Sequence, residues 1–217
     1  MNIVLDCDEV LLDTLPVIAR FYRDCIDPNG KVSGKQYSST WNVWDDPVNK
    51  SVNRTWQTFL QEYTESPYFT IAQPLWGAVN GVEKLKLYGN KLWVVSSVFP
   101  VPHIQEMRTA HLRRLFGKSK FQDVILTDHF GKQKVMKEIA ADAVVDDGMS
   151  NVGDALEINM HGLLKKCPAN ASMINTMRAG RTMSENSWHV KNMDLLREKA
   201  IIVRNWREII FALERIR

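Results

Sequence analysis

Cysteine is scarce in this sequence, and the few cysteines are not arranged as a structural framework. Only three occur among 217 residues, Cys7, Cys25 and Cys167, and they are widely separated. Disulfide scaffolds and structural zinc sites need paired cysteines at short spacing. The cysteine pattern therefore excludes both of those classes and favours a reducing compartment.

Long apolar runs are also missing. Stretches such as 92–95 are far shorter than the roughly 20 residues that a membrane-spanning helix requires. The N-terminus has neither a basic leader nor a small-residue cleavage site, which is not typical of a signal peptide. We therefore expect a cytoplasmic protein without a membrane partner.

The excess of positive charge is small, because 28 lysines and arginines oppose 25 acidic residues, for a net charge of +3. That balance suits a small anionic ligand and does not indicate a nucleic-acid polymer as partner. Apolar residues make up 45% of the chain and charged residues 24%, which is ordinary for a globular protein. The length favours one domain with an insertion.

Short apolar runs alternate with segments of helical periodicity, which predicts an α/β fold. The predicted strands are 3–5, 91–95, 124–126, 143–145, 162–164 and 201–203, and the predicted helices are 14–26, 52–63, 79–88, 103–116, 133–141, 151–159 and 205–216. This order predicts a three-layer, Rossmann-like parallel sheet. Residues 14–75 interrupt the alternation, so we expect a catalytic core of 1–13 and 76–217 with a small helical cap of 14–75. Residues 171–200 show no clear pattern.

Polar residues follow four of the apolar runs. They are Asp6 and Asp8, Ser96 and Ser97, Asp128, and Asp146 with Asp147. In open α/β sheets ligands bind outside the carboxyl ends of the strands, where these side chains would meet. Clustered carboxylates repel one another, and a hard divalent cation such as Mg²⁺ relieves that repulsion.

The order of these motifs resembles the haloacid dehalogenase superfamily. The carrying residues are Asp-Cys-Asp-Glu-Val-Leu at 6–11, Ser96 after a strand, a following lysine, and the Asp146–Asp147 pair after another strand. The resemblance implies that Asp6 attacks phosphorus and that Asp8 acts as general acid and base. It also implies that Mg²⁺ is held by Asp6, the backbone carbonyl of Asp8 and Asp146, with Asp147 close by.

One branch of that superfamily, the 5'(3')-deoxyribonucleotidases, is similar in further segments. These are 69–78, 124–127, the Asp146–Asp147 pair with Asn151, and 203–209. The similarity implies a nucleoside monophosphate as substrate. It also favours Trp41 and Trp44 in the predicted cap as base-stacking residues, since aromatic rings bind the faces of bases.

The phosphate-binding residues implied by the resemblance are Ser96, with Ser97 as a substitute, and two cations. Lys132, Lys134 and Lys137 all precede Asp146. We prefer Lys134 as the catalytic lysine, because its 12-residue separation from Asp146 leaves room for a helix and a strand, and Lys132 is the second choice. Arg108 occupies the position of a further cation on the helix after the second motif.

Two positions depart from the branch pattern. Glu9 stands where glycine is usual, and Asp128 stands where a basic residue is common. Both would make the pocket more acidic and leave the nucleotide preference open.

The predicted activity is Mg²⁺-dependent hydrolysis of nucleoside monophosphates through an aspartyl-phosphate. Three alternatives stay open: a phosphatase for another small phosphate ester such as a sugar phosphate, a phosphorylated receiver-like module, and a non-catalytic nucleotide-binding module. Receiver domains place an adjacent acidic pair after the first strand, whereas here Asp6 and Asp8 are separated by one residue and the adjacent pair comes later. A homodimer is also kept open.

Overall fold

The computed structural model describes residues 1–28, 55–98, 101–127, 131–179 and 192–217. Their centre is one six-stranded parallel sheet of order β3-β2-β1-β4-β5-β6. The strands are β1 Asn2–Leu5, β2 Lys91–Ser97, β3 Val124–Thr127, β4 Ala143–Asp146, β5 His161–Lys165 and β6 Ile201–Val203. The predicted α/β fold with a parallel Rossmann-like sheet is confirmed.

Both faces of the sheet are covered by other parts of the protein. Its strands are therefore short continuous apolar runs, because a polar side chain at every second position would be buried at a cost in free energy. Ile3, Val4 and Leu5 of β1 have no solvent exposure. Leu5 pairs with Val94 of β2 on one side and with Val145 of β4 on the other. This register brings the residues after β1, β2 and β4 to the same edge of the sheet.

Helices cover the sheet, and seven of those described correspond to predicted helices. They are α1 Leu15–Phe21, α2 Trp56–Glu65, α3 Ala78–Leu87, α4 Pro102–Phe116, α5 Lys132–Glu138, α6 Met149–Glu157, α7 Ala171–Arg178, α8 Met193–Lys199 and α9 Trp206–Arg215. The first helix continues into a π-helical turn, Tyr22–Ile26. The C-terminal helix is tied to the first loop by Trp206, whose indole N–H donates to the Val10 carbonyl at 2.9 Å.

The segment between β1 and β2 builds an aromatic cluster of its own. Phe21 of α1 contacts Phe59 and Tyr63 of α2, with ring centroids 5.7 and 5.6 Å apart. Phe69, in a 3₁₀ turn at Pro67–Thr70, meets Tyr63 at 5.8 Å. The same cluster includes three buried residues outside the segment, Val98, Ile104 and Leu126. The division of the chain into core and cap stays a prediction.

Residues 171–200 contain two helices, α7 and α8, that the sequence pattern did not indicate. Only Ile174 and Met177 of α7 and Leu196 of α8 are buried. They pack on the cluster that contains Met149 and Val152 of α6. Because each helix is short and buries one or two side chains, its apolar period is too weak to recognise.

Within the described ranges, none of the helices has both the length and the apolar character needed to cross a bilayer. The longest of them, α4, has 15 residues.

Candidate active site

A buried lysine joins two of the strand-end carboxylates. The Lys132 ammonium donates to Asp6 Oδ1 and to Asp146 Oδ2, each at 2.7 Å. Asp6 follows β1, Asp146 ends β4, and Lys132 is the first residue of α5. Both bonds are charge-assisted and almost completely shielded from water, so the three groups form a rigid unit.

The structure does not bring Lys134, the preferred catalytic lysine, to these carboxylates. The side chain of Lys134 is 82% exposed and forms only a loose ion pair with Glu138 at 3.8 Å. Two positions along an α-helix are about 200° apart around its axis, so Lys132 and Lys134 point in nearly opposite directions. Lys137, the third candidate, is also exposed.

The residues after β4 orient Asp146. Its Oδ1 accepts hydrogen bonds from the Gly148 backbone N–H at 2.7 Å and from Asn151 Nδ2 at 3.0 Å. Together with the Lys132 bond to Oδ2, these contacts give both oxygens of the carboxylate a donor. Asn151 was associated with this motif in the sequence, and the structure shows that it holds the carboxylate.

Asp8 faces a different set of partners from Asp6. Asp8 Oδ1 accepts from Arg108 Nη2 at 3.2 Å, and Asp8 Oδ2 lies 3.5 Å from the Ser96 hydroxyl. Ser96 is buried next to Asp8, and its phosphate-binding role stays a prediction. The Ser97 hydroxyl is buried and has no hydrogen-bond partner among the described residues.

Three carboxylates in this site are close enough to share one cation. Ligand oxygens of Asp6, Asp146 and Asp147 all lie within 4.8 Å of one another. Asp147 therefore joins the cluster directly, while the carboxylate of Asp8 turns toward Arg108. The contribution of the Asp8 backbone carbonyl to a metal site stays a prediction.

The electrostatics of the cluster fit a hard divalent cation. Burial raises the pKa of Asp147 well above its usual range, and the charges of Asp6 and Asp146 raise it further. Burial also raises the pKa of Asp6, although the Lys132 charge opposes that shift. For Lys132 burial favours a lower pKa, but the charges of Asp146 and Asp6 outweigh it and raise the pKa. One lysine does not balance three ionised carboxylates, so burial and mutual repulsion favour protonation of some of them. A divalent cation would stabilise the ionised forms, and all three residues offer the oxygen ligands that Mg²⁺ prefers.

The carboxylate of Glu9 is turned toward the start of α1. Its Oε1 accepts from the backbone N–H groups of Thr14 and Leu15, both at 3.0 Å, and lies 3.3 Å from the Thr14 hydroxyl. These contacts hold a non-glycine residue at a positive φ of 57°. Glu9 still acts on the site electrostatically, because its charge contributes to the raised pKa of Asp147.

Two predicted substrate-binding residues, Trp41 and Trp44, lie outside the described residues, and so does Asp128. Sequence reasoning missed Tyr63, whose hydroxyl is buried without a partner in the described part of the chain and whose ring lies against Phe69, the residue that also contacts Arg108. The pattern at 52–63 indicates only an apolar helical face, and tyrosine fits such a face without revealing where its hydroxyl points.

Comparison with known proteins identifies the fold. No family model matches the chain, and no curated protein matches it. Among solved structures, a predicted phosphatase from Clostridium acetobutylicum has a TM-score of 0.63 at 14% identity, covering 99% of this chain and 98% of its own.

Two further structures have similar scores. A protein assigned as a phosphoglycolate phosphatase from Lactobacillus delbrueckii subsp. bulgaricus gives a TM-score of 0.60 at 14% identity, with 98% and 97% of the two chains covered. A HAD family hydrolase from Deinococcus radiodurans, with bound phosphate and sodium, gives 0.60 at 12% identity, with 99% and 95% covered. The chain therefore shares the α/β fold of these three structures.

Proposed function

We propose that this protein is a Mg²⁺-dependent phosphatase that hydrolyses small phosphate monoesters through an aspartyl-phosphate on Asp6. One observation carries the proposal: Lys132 bridges Asp6 and Asp146 in a buried site that also holds Asp147, with Asp8 and Ser96 beside it. This set contains a nucleophile, a second carboxylate for proton transfer, a hydroxyl for a phosphate oxygen and a fixed cation. The full-length likeness to haloacid dehalogenase hydrolases supports it.

In the first step a carboxylate oxygen of Asp6 attacks phosphorus, and the bond from phosphorus to the ester oxygen breaks. An ionised carboxylate needs no base to activate it. Asp8, in its protonated form, gives its proton to the departing oxygen, so the alcohol leaves neutral. Lys132 holds Asp6 in place through its bond to Oδ1 and offsets its negative charge.

In the second step water attacks the phosphorus of the aspartyl-phosphate. Asp8, now ionised, takes a proton from that water, phosphate departs and the Asp6 carboxylate is restored. Mg²⁺ held by Asp6, Asp146 and Asp147 would add positive charge against the phosphoryl oxygens. Positioning and charge neutralisation are the main requirements of phosphoryl transfer, and the residues of this site would provide both.

The substrate class that we propose is a small phosphate ester other than a nucleotide. A protein assigned as a phosphoglycolate phosphatase and proteins assigned as β-phosphoglucomutases, from Thermotoga maritima and Bacteroides vulgatus, share the fold. These names favour the sugar-phosphate alternative over a nucleoside monophosphate. The nucleotidase interpretation rests on the segments similar to the deoxyribonucleotidase branch, 69–78, 124–127, the Asp146–Asp147 pair with Asn151, and 203–209, and stays a prediction.

A phosphate-release screen with Mg²⁺ tests the proposal. The panel is 2-phosphoglycolate, glucose 1-phosphate, glucose 6-phosphate, and deoxyribo- and ribonucleoside monophosphates, with Asp6→Asn as the matched inactive control. We expect turnover of at least one small ester that the Asp6→Asn variant lacks. Turnover confined to nucleotides would return the assignment to the nucleotidase branch, and release that persists in Asp6→Asn would contradict the mechanism.

A further inference from the structure

Arg108 is a buried cation whose hydrogen-bonding capacity is mostly unused. The residue has no solvent exposure and is among the largest fully buried side chains. Its Nη2 bonds to Asp8, but Nε and Nη1 are buried with no hydrogen-bond partner in the described part of the chain. Unpaired buried donors are uncommon in folded proteins, and on a guanidinium they are costly. These unpaired donors indicate that a hydrogen-bond acceptor binds Arg108 in a functional state of the protein.

A second unpaired group lies in the same environment. The Tyr63 hydroxyl, on α2, is buried and without a partner among the described residues. Tyr63 and Arg108 both lie against Phe69, whose ring centroid is 5.8 Å from that of Tyr63. Phe69 covers the guanidinium, with its ring centroid 3.9 Å from the Arg108 carbon Cζ.

These donors lie on the leaving-group side of the site. Lys132 contacts Asp6 and Asp146, where the phosphoryl group would sit. Arg108 contacts Asp8, the residue that we place at the departing oxygen. A ligand group that reaches Arg108 and Tyr63 is therefore attached to the alcohol part of the ester.

We infer that Arg108 and Tyr63 form a subsite for a second anionic group, a carboxylate or a second phosphate, carried by the leaving group of the substrate. The inference rests on the proposed phosphatase function and names its substrate class. A guanidinium presents parallel N–H donors that match the paired oxygens of a carboxylate or phosphate. A phenol hydroxyl adds one more donor, and the apolar face of Phe69 keeps the guanidinium out of water.

The subsite is closed in this structure. Arg108 is on α4, whereas Tyr63 and Phe69 come from the segment between β1 and β2. Because none of the three side chains has appreciable exposure, the anion reaches Arg108 only when α2 and the 3₁₀ turn at Pro67–Thr70 shift relative to α4. The bound anion then supplies the missing acceptor.

Calorimetric binding of matched phosphonates tests the subsite without turnover. The probes are 3-phosphonopropionate, which carries a carboxylate, propane-1,3-bisphosphonate, which carries a second phosphonate, and n-propylphosphonate, which carries neither. We expect at least one doubly anionic probe to bind about tenfold or more tightly than n-propylphosphonate, as one good charge-assisted bond provides. The doubly anionic probe that binds more tightly shows whether the subsite prefers a carboxylate or a second phosphate.

Three variants show whether Arg108 and Tyr63 are responsible. Arg108→Met and Tyr63→Phe should each bring the ratio of the affinity for the doubly anionic probe to that for n-propylphosphonate toward one. Tyr63→Phe still tests the subsite if Arg108→Met does not fold. Arg113→Met, which removes an exposed charge from the same helix, should keep the ratio. A ratio near one in the unmodified protein, or a ratio that survives both variants, overturns the subsite.

The outcome is separable from that of the proposed function. Phosphate release from simple monoesters with no preference for a second anion leaves the phosphatase standing and removes the subsite. A strong affinity ratio without hydrolysis of any ester keeps the subsite and removes the phosphatase.

Discussion

Lys132 and Arg108, the two buried cations of the site, differ in how many of their hydrogen-bond donors have a partner. Lys132 is locked between Asp6 and Asp146 at 2.7 Å, and Asp146 has further donors from Gly148 and Asn151. Arg108 has one bond of 3.2 Å to Asp8 and two buried nitrogens with no partner in the described chain. Lys132 thus has its carboxylate partners without any ligand, whereas two nitrogens of Arg108 still lack an acceptor.

This contrast follows from which elements build each side. Asp6 follows β1 and Asp146 ends β4, and the register of these neighbouring strands fixes the positions of both carboxylates, while Lys132 begins α5. Arg108 lies between a core helix and the segment that follows β1, and that segment packs through its own aromatic cluster. Under the proposed function, the sheet positions the groups of the chemical step, whereas recognition of the leaving group depends on the Arg108 side.

The largest expected effect comes from removing the nucleophile on the Lys132 side. Asp6→Asn should lower phosphate release by at least about 10⁴-fold, because an amide cannot form the covalent intermediate. Circular dichroism should show a retained fold, since the substitution is isosteric and reduces repulsion among the carboxylates. Retention of more than a few per cent of the rate would move the nucleophile elsewhere.

Metal removal should have the next largest effect. Excess EDTA should lower the rate by about 10²–10⁴-fold, since several kcal/mol of charge stabilisation are lost. Mg²⁺ should also raise the melting temperature of the unmodified protein. Asp146→Asn should abolish that rise, and Asp194→Asn, an exposed carboxylate on α8, should not. Full activity in EDTA would contradict the metal site.

A pair of lysine variants tests the corrected assignment. Lys132→Met should lower kcat by about 10²–10³-fold, and it should cost about 3–5 kcal/mol of stability because two buried carboxylates lose their counter-ion. Lys134→Met removes an exposed side chain and should change both quantities little. Phosphate release and urea unfolding measure the two effects, and equal losses in the two variants would refute the distinction.

The smallest effect concerns His111, one turn beyond Arg108 on α4. Burial and the charges of Arg108 and Arg114 lower the pKa of His111 from 6.5 to about 4. The unfolded chain therefore takes up a proton below pH 6.5 that the folded chain does not, so this contribution to stability is complete above pH 6.5 and falls toward pH 4.

Urea unfolding at pH 7.5 and pH 5.0 measures the contribution of His111. The unmodified protein should lose about 1–2 kcal/mol more than His111→Gln between these two pH values. His161→Gln, at an exposed histidine, should behave like the unmodified protein. Identical losses in all three proteins would show that His111 is as free to protonate in the fold as in the unfolded chain.

The sequence by itself determined the sheet and the edge at which the acidic residues gather. Asp6 and Asp146 directly follow buried apolar runs, and a run of that kind ends where its chain leaves the sheet. The predicted strand 201–203 agrees with the structure to the residue. Such features depend on neighbours in the chain, so local composition is enough to locate them.

Only the tertiary structure decided which cations enter the site. Lys132 and Lys134 have nearly the same spacing to Asp146, and their difference is the direction each side chain takes from α5. The burial of Arg108 beneath Phe69 and beside Asp8 likewise depends on how α4 packs against a segment some 40 residues away. Helix orientation is set by packing between elements that are distant in the chain, so the spacing of residues in the sequence does not predict it.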